Sequence, residues 1–353
     1  MAFITYNDIS IRAVAASVPK NIVSNLDLGY LMTIEEIEKT TFATGIREKR
    51  VADKDVTSSD LCFCAAEKLI NDNLIDRDSI DALIFVSQTP DYKQPSTAPN
   101  LQYRLGLNTR TLSFDINLAC SGYVYGLSMA FAYASMVGVD RVLLLVGETM
   151  SKTISLYDRI TTPLFGDAGS ATLIEKKALA GTSFFSLNSD GKDSHILRIP
   201  FGGYRNPSSN EGFIMRKDEY GNILNGEQLH MDGMDVFNFA IRTVPTDIKF
   251  LLKKTGLSTQ DIDLVLFHQA NRFLTDFLAK RLKFDLVKIP YSIEKFGNTS
   301  SASIPLTISS KLCNKSNYPN REKTILSGFG AGLSWATALI SLSNCAVSEL
   351  IEY

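Results

Sequence analysis

Short runs of apolar residues alternate along the chain with longer stretches in which apolar residues recur at helical spacing. A short apolar run is typical of a strand buried on both faces, and helical spacing is typical of an amphipathic helix. The strands predicted in the first half are 11–18, 81–88, 111–116, 141–146 and 167–174. The helices predicted around them are 26–42, 58–73, 97–105 and 121–138.

The apolar stretch 123–139 is close to the length of a membrane-spanning helix. It contains Gly126, Ser128 and Ser135, however, and the charged pair 140–141 follows it directly. We therefore interpret this stretch as a helix of the protein core and expect no membrane partner.

The second half continues the alternation after an irregular segment. Residues 180–230 are rich in Gly, Ser, Asn and charge, which predicts strands joined by a loop excursion. Beyond that segment, helices are predicted at 234–254, 273–282 and in the stretch ending at 313, and strands at 263–267, 287–290, 323–327 and 334–342.

Two pairs of segments resemble each other across the chain. The sequence SIDALIFVSQTP (79–90) is similar to DIDLVLFHQAN (261–271), and residues 141–175 are similar to 323–341. A repeated order of strands and helices predicts a duplicated α/β fold with mostly parallel strands and a pseudo-twofold axis.

The predicted halves are residues 1–178 and residues 179–353. In open α/β sheets, functional sites lie beyond the carboxyl ends of the strands. Cys120, His268 and the Gly-rich turn 328–332 each follow or join predicted strands, so they are candidates for one site.

Composition excludes several classes of function. The chain has 353 residues, 45% of them hydrophobic, and a net charge of -2, so nothing suggests binding to nucleic acid or to an anionic membrane. The five cysteines are irregularly spaced and form neither a disulfide framework nor a metal-binding pattern. Their odd number and the lack of a signal peptide lead us to expect a reducing, cytoplasmic location.

The stretch LSFDINLACSGYVYG (112–126) reads as a strand, a sharp turn and a long apolar helix, with Cys120 at the turn. A thiol at a helix N-terminus meets unpaired N–H groups and the positive end of the helix dipole, which predicts a lowered pKa. The thiolate form attacks thioester carbonyls. The alternative interpretation is that Cys120 is a small core residue.

Three further features are ordinary when taken singly. A histidine after a buried strand, as at His268, is often structural; the Gly-Asn pair at Asn298 signals a turn; and GFGAG (328–332) is a common kind of strand connection. Together with Cys120 they supply a nucleophile, two hydrogen-bond donors and backbone N–H groups for an oxyanion.

The sequence that contains these residues resembles β-ketoacyl-ACP synthase III of the thiolase-like superfamily, and the resemblance runs from about residue 11 to 342. The motifs that carry the resemblance are TGIRE, ACSG around Cys120, DR at 158–159, FGDAGSA, MDGMDVF, HQAN, GNTSSASIP and GFGAGLSW. The resemblance implies a five-layered α-β-α-β-α fold with two pseudo-symmetric halves, the N-terminal half carrying the nucleophilic Cys and the C-terminal half carrying His and Asn.

The resemblance also implies a catalytic triad of Cys120, His268 and Asn298. Cys120 takes an acyl group from a thioester, malonyl-ACP loses CO₂, and the carbanion attacks the acyl-enzyme to give 3-oxoacyl-ACP. The imidazole and the carboxamide donate hydrogen bonds to the enolate, and the backbone N–H groups of Cys120 and Ala331 hold the acyl oxyanion. The implied substrates are acyl-CoA and malonyl-ACP, with no bound cofactor and no metal.

By the same resemblance, the acyl pocket or its gate is formed by Phe329, Phe237 and Gln94, and Phe329 keeps water away from the carbanion. Gln94 stands where many members have a Phe that reaches the pocket of the neighbouring subunit. A buried Gln must be hydrogen-bonded, which suggests a polar acyl chain, while a bond to local backbone is the open alternative.

The residues implied for binding CoA or ACP are Arg159, Asn271, Arg272 and Lys39. Lys39 stands near the place of a Trp that stacks on adenine in many members, and Ala43 stands in place of an Arg. Arg272 is one position earlier than the family's usual Arg. The donor is therefore open between acyl-CoA, another CoA ester and acyl-ACP.

Alternatives to a condensing synthase remain. One is an acyltransferase of the same family that passes the acyl group to an oxygen or nitrogen nucleophile, in secondary-metabolite or surface-polysaccharide synthesis. Another is a non-catalytic partner subunit. Relatives with a glutamate base would point to Glu148, but a carboxylate after a strand is usually solvated or caps a helix. The family implies a homodimer through strand 112–116.

Overall fold

Two β-sheets flank a shared layer of helices in the computed structural model, which describes residues 2–314 and 316–353. The strands are β1 (Ala2–Asn7), β2 (Ile9–Val18), β3 (Ile22–Ser24), β4 (Glu48–Arg50), β5 (Ala82–Val86), β6 (Leu112–Ile116), β7 (Arg141–Thr149), β8 (Asp167–Lys176), β9 (Thr182–Ser189), β10 (Leu197–Arg198), β11 (Arg216–Lys217), β12 (Ile223–Leu224), β13 (His230–Met231), β14 (Leu264–Phe267), β15 (Thr324–Gly330), β16 (Ser334–Ile340), β17 (Ala346–Val347) and β18 (Ile351–Glu352). The α-helices are α1 (Ile34–Thr44), α2 (Ser58–Asp72), α3 (Ala98–Arg104), α4 (Gly122–Ala134), α5 (Gly233–Thr255), α6 (Arg272–Leu282), α7 (Ile293–Phe296) and α8 (Ser303–Leu312).

The two large sheets share the order of four strands, β2-β8-β7-β5 in one and β9-β16-β15-β14 in the other. The N-terminal sheet runs β17-β2-β8-β7-β5-β6, with β18 also paired to β2, and the C-terminal sheet runs β1-β9-β16-β15-β14. In both, two parallel strands (β5 and β7, or β14 and β15) are followed by two antiparallel pairings. The structure thus has the duplicated order that the sequence repeat predicted. The prediction of mostly parallel strands is wrong, because both large sheets mix parallel and antiparallel pairings.

The two sheets exchange their terminal strands. Strand β1, at the start of the chain, pairs with β9 of the C-terminal sheet, and β17 and β18, at its end, pair with β2 of the N-terminal sheet. The boundary at 178/179 stays a prediction, since each sheet takes a strand from the far side of it.

Alternation of side chains along the strands gives each sheet face its own helix layer. On β5, Leu83 and Phe85 pack in the cluster of α2 and α3, whereas Ile84 and Val86 pack with α4. The N-terminal sheet is therefore covered by helices on both faces, which explains why β5 is apolar at every position.

The C-terminal sheet repeats this arrangement. On β14, Leu264 and Leu266 face the same inner cluster as α4 and α8, whereas Val265 and Phe267 pack with α5 and α6. The layers are α2 and α3, the N-terminal sheet, α4 and α8, the C-terminal sheet, then α5 and α6. This is the predicted five-layered α/β fold.

Some predicted elements differ in detail. The strand predicted at 287–290 is wrong, because residues Leu286–Lys288 form a short 3₁₀ helix that begins where the Asp285 carboxylate accepts the N–H of Val287. Helix α4 ends at Ala134, where the Ser135 hydroxyl donates to the carbonyl of Ala132. Within the described residues, no helix is both long and apolar enough to cross a membrane.

Candidate active site

Cys120 lies between the end of β6 and the start of α4, and its side chain is buried. Its Sγ is 3.6 Å from the Oγ of Ser300. The Gly-rich strand end passes directly beside it, since a Cβ added to Gly330 would lie 3.0 Å from Sγ. The contact therefore requires glycine at position 330.

The predicted lowering of the Cys120 pKa is wrong. Burial raises the pKa of this thiol to about 12, the Ser300 hydroxyl lowers it by a hydrogen bond, and the charge of Glu148 raises it further. Loss of hydration destabilises the thiolate by more than the helix N-terminus stabilises it. The Cys120 side chain is therefore a neutral thiol near pH 7.

His268 directly follows β14, and its backbone N–H donates to the carbonyl of Ser327 at 2.8 Å. Its Nδ1 is 2.7 Å from the Oγ of Ser303, whose oxygen also accepts the N–H of Gln269. When the Ser303 hydroxyl donates to Nδ1, the ring proton lies on Nε2. Burial lowers the pKa of His268 to about 3, so the imidazole is neutral near pH 7.

Asn298 is held by the loop that precedes β8. Its N–H donates to the carbonyl of Leu164 at 2.8 Å, and its carbonyl accepts the N–H of Gly166 at 3.1 Å. Its Oδ1 accepts the N–H of Ser300 at 2.9 Å, which leaves the side-chain NH₂ as a donor. Gly297 has φ of 63°, and a Cβ there would lie 2.6 Å from the Leu164 carbonyl oxygen.

One cavity of about 240 Å³ brings these groups together. Its lining includes the polar residues Cys120, His268, Asn298 and Ser300, and the Gly-rich segment adds Phe329, Gly330 and Ala331. The rings of Phe329 and His268 meet edge to face with centroids 5.5 Å apart. A thiol, an imidazole and a carboxamide from distant parts of the chain thus converge on one space.

Three further predicted residues line the same cavity: Phe237, Arg159 and Asn271. Arg159 is paired with the carboxylate of Glu36 at 2.7 Å, and the Asn271 side chain caps helix α6. A larger cavity of about 880 Å³ lies next to it on the 195–235 segment and shares part of its wall, but none of the triad residues lines it.

Three other predicted residues lie outside the triad cavity. Lys39 is exposed on α1 and paired with Glu35 at 2.7 Å, while its helix neighbours at positions 40 and 44 line the cavity instead. Arg272 stacks on the Tyr291 ring, with 3.6 Å between the guanidinium carbon and the ring centroid. Gln94 is exposed in the single chain.

Sequence reasoning missed three polar residues around the predicted triad and gave the wrong environment for a fourth. Ser300, with φ of 49°, contacts the Cys120 sulfur, and Ser303 contacts the His268 imidazole. Gln88 lines the cavity. Glu148 was expected to be solvated or to cap a helix, yet it is fully buried, because β7 is covered on both faces. The only signal for the serines was their density in GNTSSAS.

Two family models match the chain. The model described as 3-Oxoacyl-[acyl-carrier-protein (ACP)] synthase III matches residues 114–191, which include Cys120. The model described as 3-Oxoacyl-[acyl-carrier-protein (ACP)] synthase III C terminal matches residues 252–342, which include His268 and Asn298.

Relatives and solved structures agree with these matches. The Beta-ketoacyl-[acyl-carrier-protein] synthase III of Fusobacterium nucleatum subsp. nucleatum is 34% identical, over 94% of this chain and 98% of the relative. The crystal structure of a 3-oxoacyl-(acyl-carrier protein) synthase from Burkholderia xenovorans LB400 superposes with a TM-score of 0.93 at 36% identity, over 100% of this chain and 99% of that one. A synthase III from Thermus thermophilus gives 0.82 at 32% identity, over 94% and 98%.

Proposed function

The chain belongs to the 3-oxoacyl-[acyl-carrier-protein] synthase III family, and from that membership we propose how its own residues carry out the reaction. It is an acyltransferase of the β-ketoacyl-ACP synthase III type, with acyl-CoA and malonyl-ACP as substrates. The proposal concerns the roles of Cys120, His268 and Asn298, the residues around them, and the assembly of the enzyme.

Acyl loading takes place on Cys120. The sulfur attacks the carbonyl carbon of the acyl thioester, and the carrier thiol leaves as the tetrahedral oxyanion collapses. The proton lost by Cys120 ends on the departing thiol, so the step fits a resting thiol and a neutral His268. The backbone N–H groups of Cys120 and Ala331 stabilise the oxyanion, which the close approach of Gly330 supports.

Condensation follows in the same cavity. The C–C bond to the malonyl carboxylate breaks, CO₂ leaves, and the electron pair becomes the enolate of the thioester. The Nε2–H of His268 and the NH₂ of Asn298 donate to the enolate oxygen. The enolate carbon attacks the acyl carbonyl, Cys120 leaves as thiolate, and one proton from solvent restores the thiol.

The residues around the triad have supporting roles in this proposal. Phe329 covers the imidazole and excludes water from the carbanion. Phe237 forms part of the cavity wall. Arg159 and Asn271 also line the cavity, so we assign them contacts with the arm of CoA or ACP that carries the acyl group. Lys39 and Arg272 lie outside the cavity, so we restrict their role to contact with CoA or ACP at the surface.

We propose a homodimer through β6. This strand is at the edge of the N-terminal sheet, and Leu112 on it is 43% exposed. An unpaired strand edge is available for pairing with a second copy. The exposed Gln94 would then reach the acyl pocket of the neighbour. Light scattering on a size-exclusion column tests this, and a monomer mass for the wild type would refute it.

We also propose the cytoplasm as the location of the enzyme. The thiols of Cys62, Cys64, Cys120 and Cys313 are not joined in disulfides, which suits a reducing compartment. Cell fractionation with an antibody to the protein tests this proposal.

The observation that carries the function is the convergence of Cys120, His268 and Asn298 on one cavity. The test separates the two half-reactions. Cys120→Ala is expected to abolish both acyl loading and condensation. His268→Ala and Asn298→Ala are expected to spare loading and to lose decarboxylation of malonyl-ACP. Transfer of the acyl group to an oxygen or nitrogen acceptor without malonyl-ACP would instead favour the alternative acyltransferase.

A further inference from the structure

Glu148 is a buried carboxylate that the proposed reaction does not use. It lies near the end of β7, opposite Ala168 of β8, and its side chain is fully buried. It is not among the residues that line the triad cavity, so it does not touch the substrate.

Four groups donate hydrogen bonds to this carboxylate. Oε1 accepts from the hydroxyl of Ser301 at 2.9 Å, and Oε2 accepts from the hydroxyl of Thr89 at 3.0 Å and from that of Ser87 at 3.3 Å. The backbone N–H of Gln88 donates to Oε2 at 3.1 Å. Among the described residues, no lysine or arginine forms an ion pair with Glu148.

These bonds join the two halves of the molecule beside the nucleophile. Ser301 belongs to the C-terminal half and is the neighbour of Ser300, whose hydroxyl contacts the Cys120 sulfur. The 87–89 turn belongs to the N-terminal half and carries Gln88, which lines the cavity. The Glu148 carboxylate therefore fixes the segment of Ser300, which contacts the Cys120 sulfur, relative to Gln88 in the cavity wall.

The charge of Glu148 also acts on the sulfur. Burial raises the pKa of Glu148 to about 7, and its ionised form contributes to the raised pKa of Cys120. Another titratable group that the charge of Glu148 affects is the Cys62 thiol on α2, whose pKa is raised chiefly by burial and further by Glu148, Asp91 and Asp60. His268, which lines the same cavity as Cys120, is neutral near pH 7 because burial lowers its pKa to about 3.

We propose that Glu148 is a positioning residue of the condensing site, which clamps Ser301 to the 87–89 turn and, when ionised, adds to the effect of burial in keeping Cys120 a neutral thiol in the resting enzyme. As the pH rises through 7, ionised Glu148 makes the thiolate of Cys120 harder to form. The part of this inference that concerns condensation rests on the proposed function.

The test is the alkylation of Cys120 by iodoacetamide in the absence of any substrate. The thiolate displaces iodide and forms a sulfur–carbon bond, and peptide mass spectrometry measures the rate at this one cysteine from pH 5.5 to 9. Without other titrations, the thiolate fraction rises about tenfold per pH unit below the thiol's pKa. In the wild type we expect the logarithm of the rate to bend downward near pH 7.

The bend should be absent in Glu148→Gln. Cys120 of this variant should be alkylated faster than in the wild type above pH 7 and at an equal rate below pH 6. Glutamine keeps the size, its carbonyl accepts from Gln88 and Thr89, and its NH₂ donates to the Ser301 oxygen. The matched control is Asp247→Asn. Asp247 is another buried carboxylate with three neutral donors, but it lies among α5, β9 and β16, and this variant should keep the bend.

A wild-type profile without a bend overturns the inference, even if Glu148→Gln does not fold. A bend that persists in Glu148→Gln, or disappears equally in Asp247→Asn, overturns it as well. Acyl loading from acyl-CoA is measured separately. A bend that depends on Glu148, without any acylation of Cys120 by thioesters, would refute the proposed function and leave the effect of Glu148 on the thiol standing.

Discussion

Asn298→Ala removes one of the two donors that we propose for the enolate, while the backbone that carries it stays anchored. The bonds to Leu164 and Gly166 are made by the main chain, at 2.8 and 3.1 Å, and survive the substitution. Removal of one such donor typically costs about 2.7–4 kcal/mol in the transition state, or roughly 10²–10³ in rate. We expect malonyl-ACP decarboxylation to slow by that factor.

Acyl loading should change little in the same variant, because the donor acts only on the enolate. Intact-protein mass spectrometry after incubation with acyl-CoA measures loading, and release of labelled CO₂ from malonyl-ACP measures decarboxylation. Asn298→Asp sharpens the test, since it keeps an oxygen to accept the N–H of Ser300 but has no NH₂. It should lose decarboxylation to a similar extent.

The matched control is Thr299→Val in the same segment. The Thr299 hydroxyl is buried and has no hydrogen-bond partner within the described residues, so its removal should leave both half-reactions near the wild-type rates. The proposed donor role of Asn298 is refuted if Asn298→Asp still releases CO₂ at the wild-type rate. It also fails if Thr299→Val is as slow as Asn298→Ala, because the segment rather than the donor would then be responsible.

Three further predictions follow from the same geometry. Gly330→Ala places a methyl group 3.0 Å from the Cys120 sulfur and should abolish acyl loading by mass spectrometry, whereas Gly191→Ala, with open space around it, should not. Phe329→Ala removes the ring that covers His268 and should release more CO₂ per molecule of 3-oxoacyl product, measured with labelled malonyl-ACP; an unchanged ratio would contradict the shielding role. His268 has a folded-state pKa of about 3, below its unfolded value, so the unfolded chain binds the extra proton and stability falls as the pH drops from 6.5 towards 3. Urea unfolding should show a smaller loss for His268→Gln over that range, and equal losses would refute the assignment of a neutral imidazole.

The duplicated fold was predictable because burial on both faces leaves a clear mark in the sequence. The sequences of strands β5 and β14 are unbroken apolar runs. The two strands occupy corresponding positions in the strand orders of the two halves. The exchange of β1 and β17 between the sheets left no such mark. Short strands at the ends of a chain carry no periodicity that names their partner.

The triad residues could be named from motifs, but their electrostatics could not. The thiolate prediction for Cys120 considered only the local helix N-terminus. The desolvation that reverses it comes from residues far along the chain, such as Gly330, which passes directly beside the sulfur. Likewise, nothing near Glu148 in the sequence predicts that Ser301 hydrogen-bonds to it.

Only some of the residues predicted to bind CoA or ACP line the cavity. Arg159 and Asn271 line the cavity, whereas Lys39 points away from it and positions 40 and 44 on the same helix line it instead. A family motif fixes the helix to within a turn, but the phase of the helix decides which residue faces the cavity.

The most direct test of the account is one incubation with acyl-CoA and malonyl-ACP labelled with ¹³C at all three malonyl carbons. We expect a 3-oxoacyl-ACP that retains two labelled carbons and one labelled CO₂ for each product molecule, and no 3-oxoacyl-ACP with Cys120→Ala. Acyl transfer without loss of labelled CO₂, or the same product from Cys120→Ala, would contradict it.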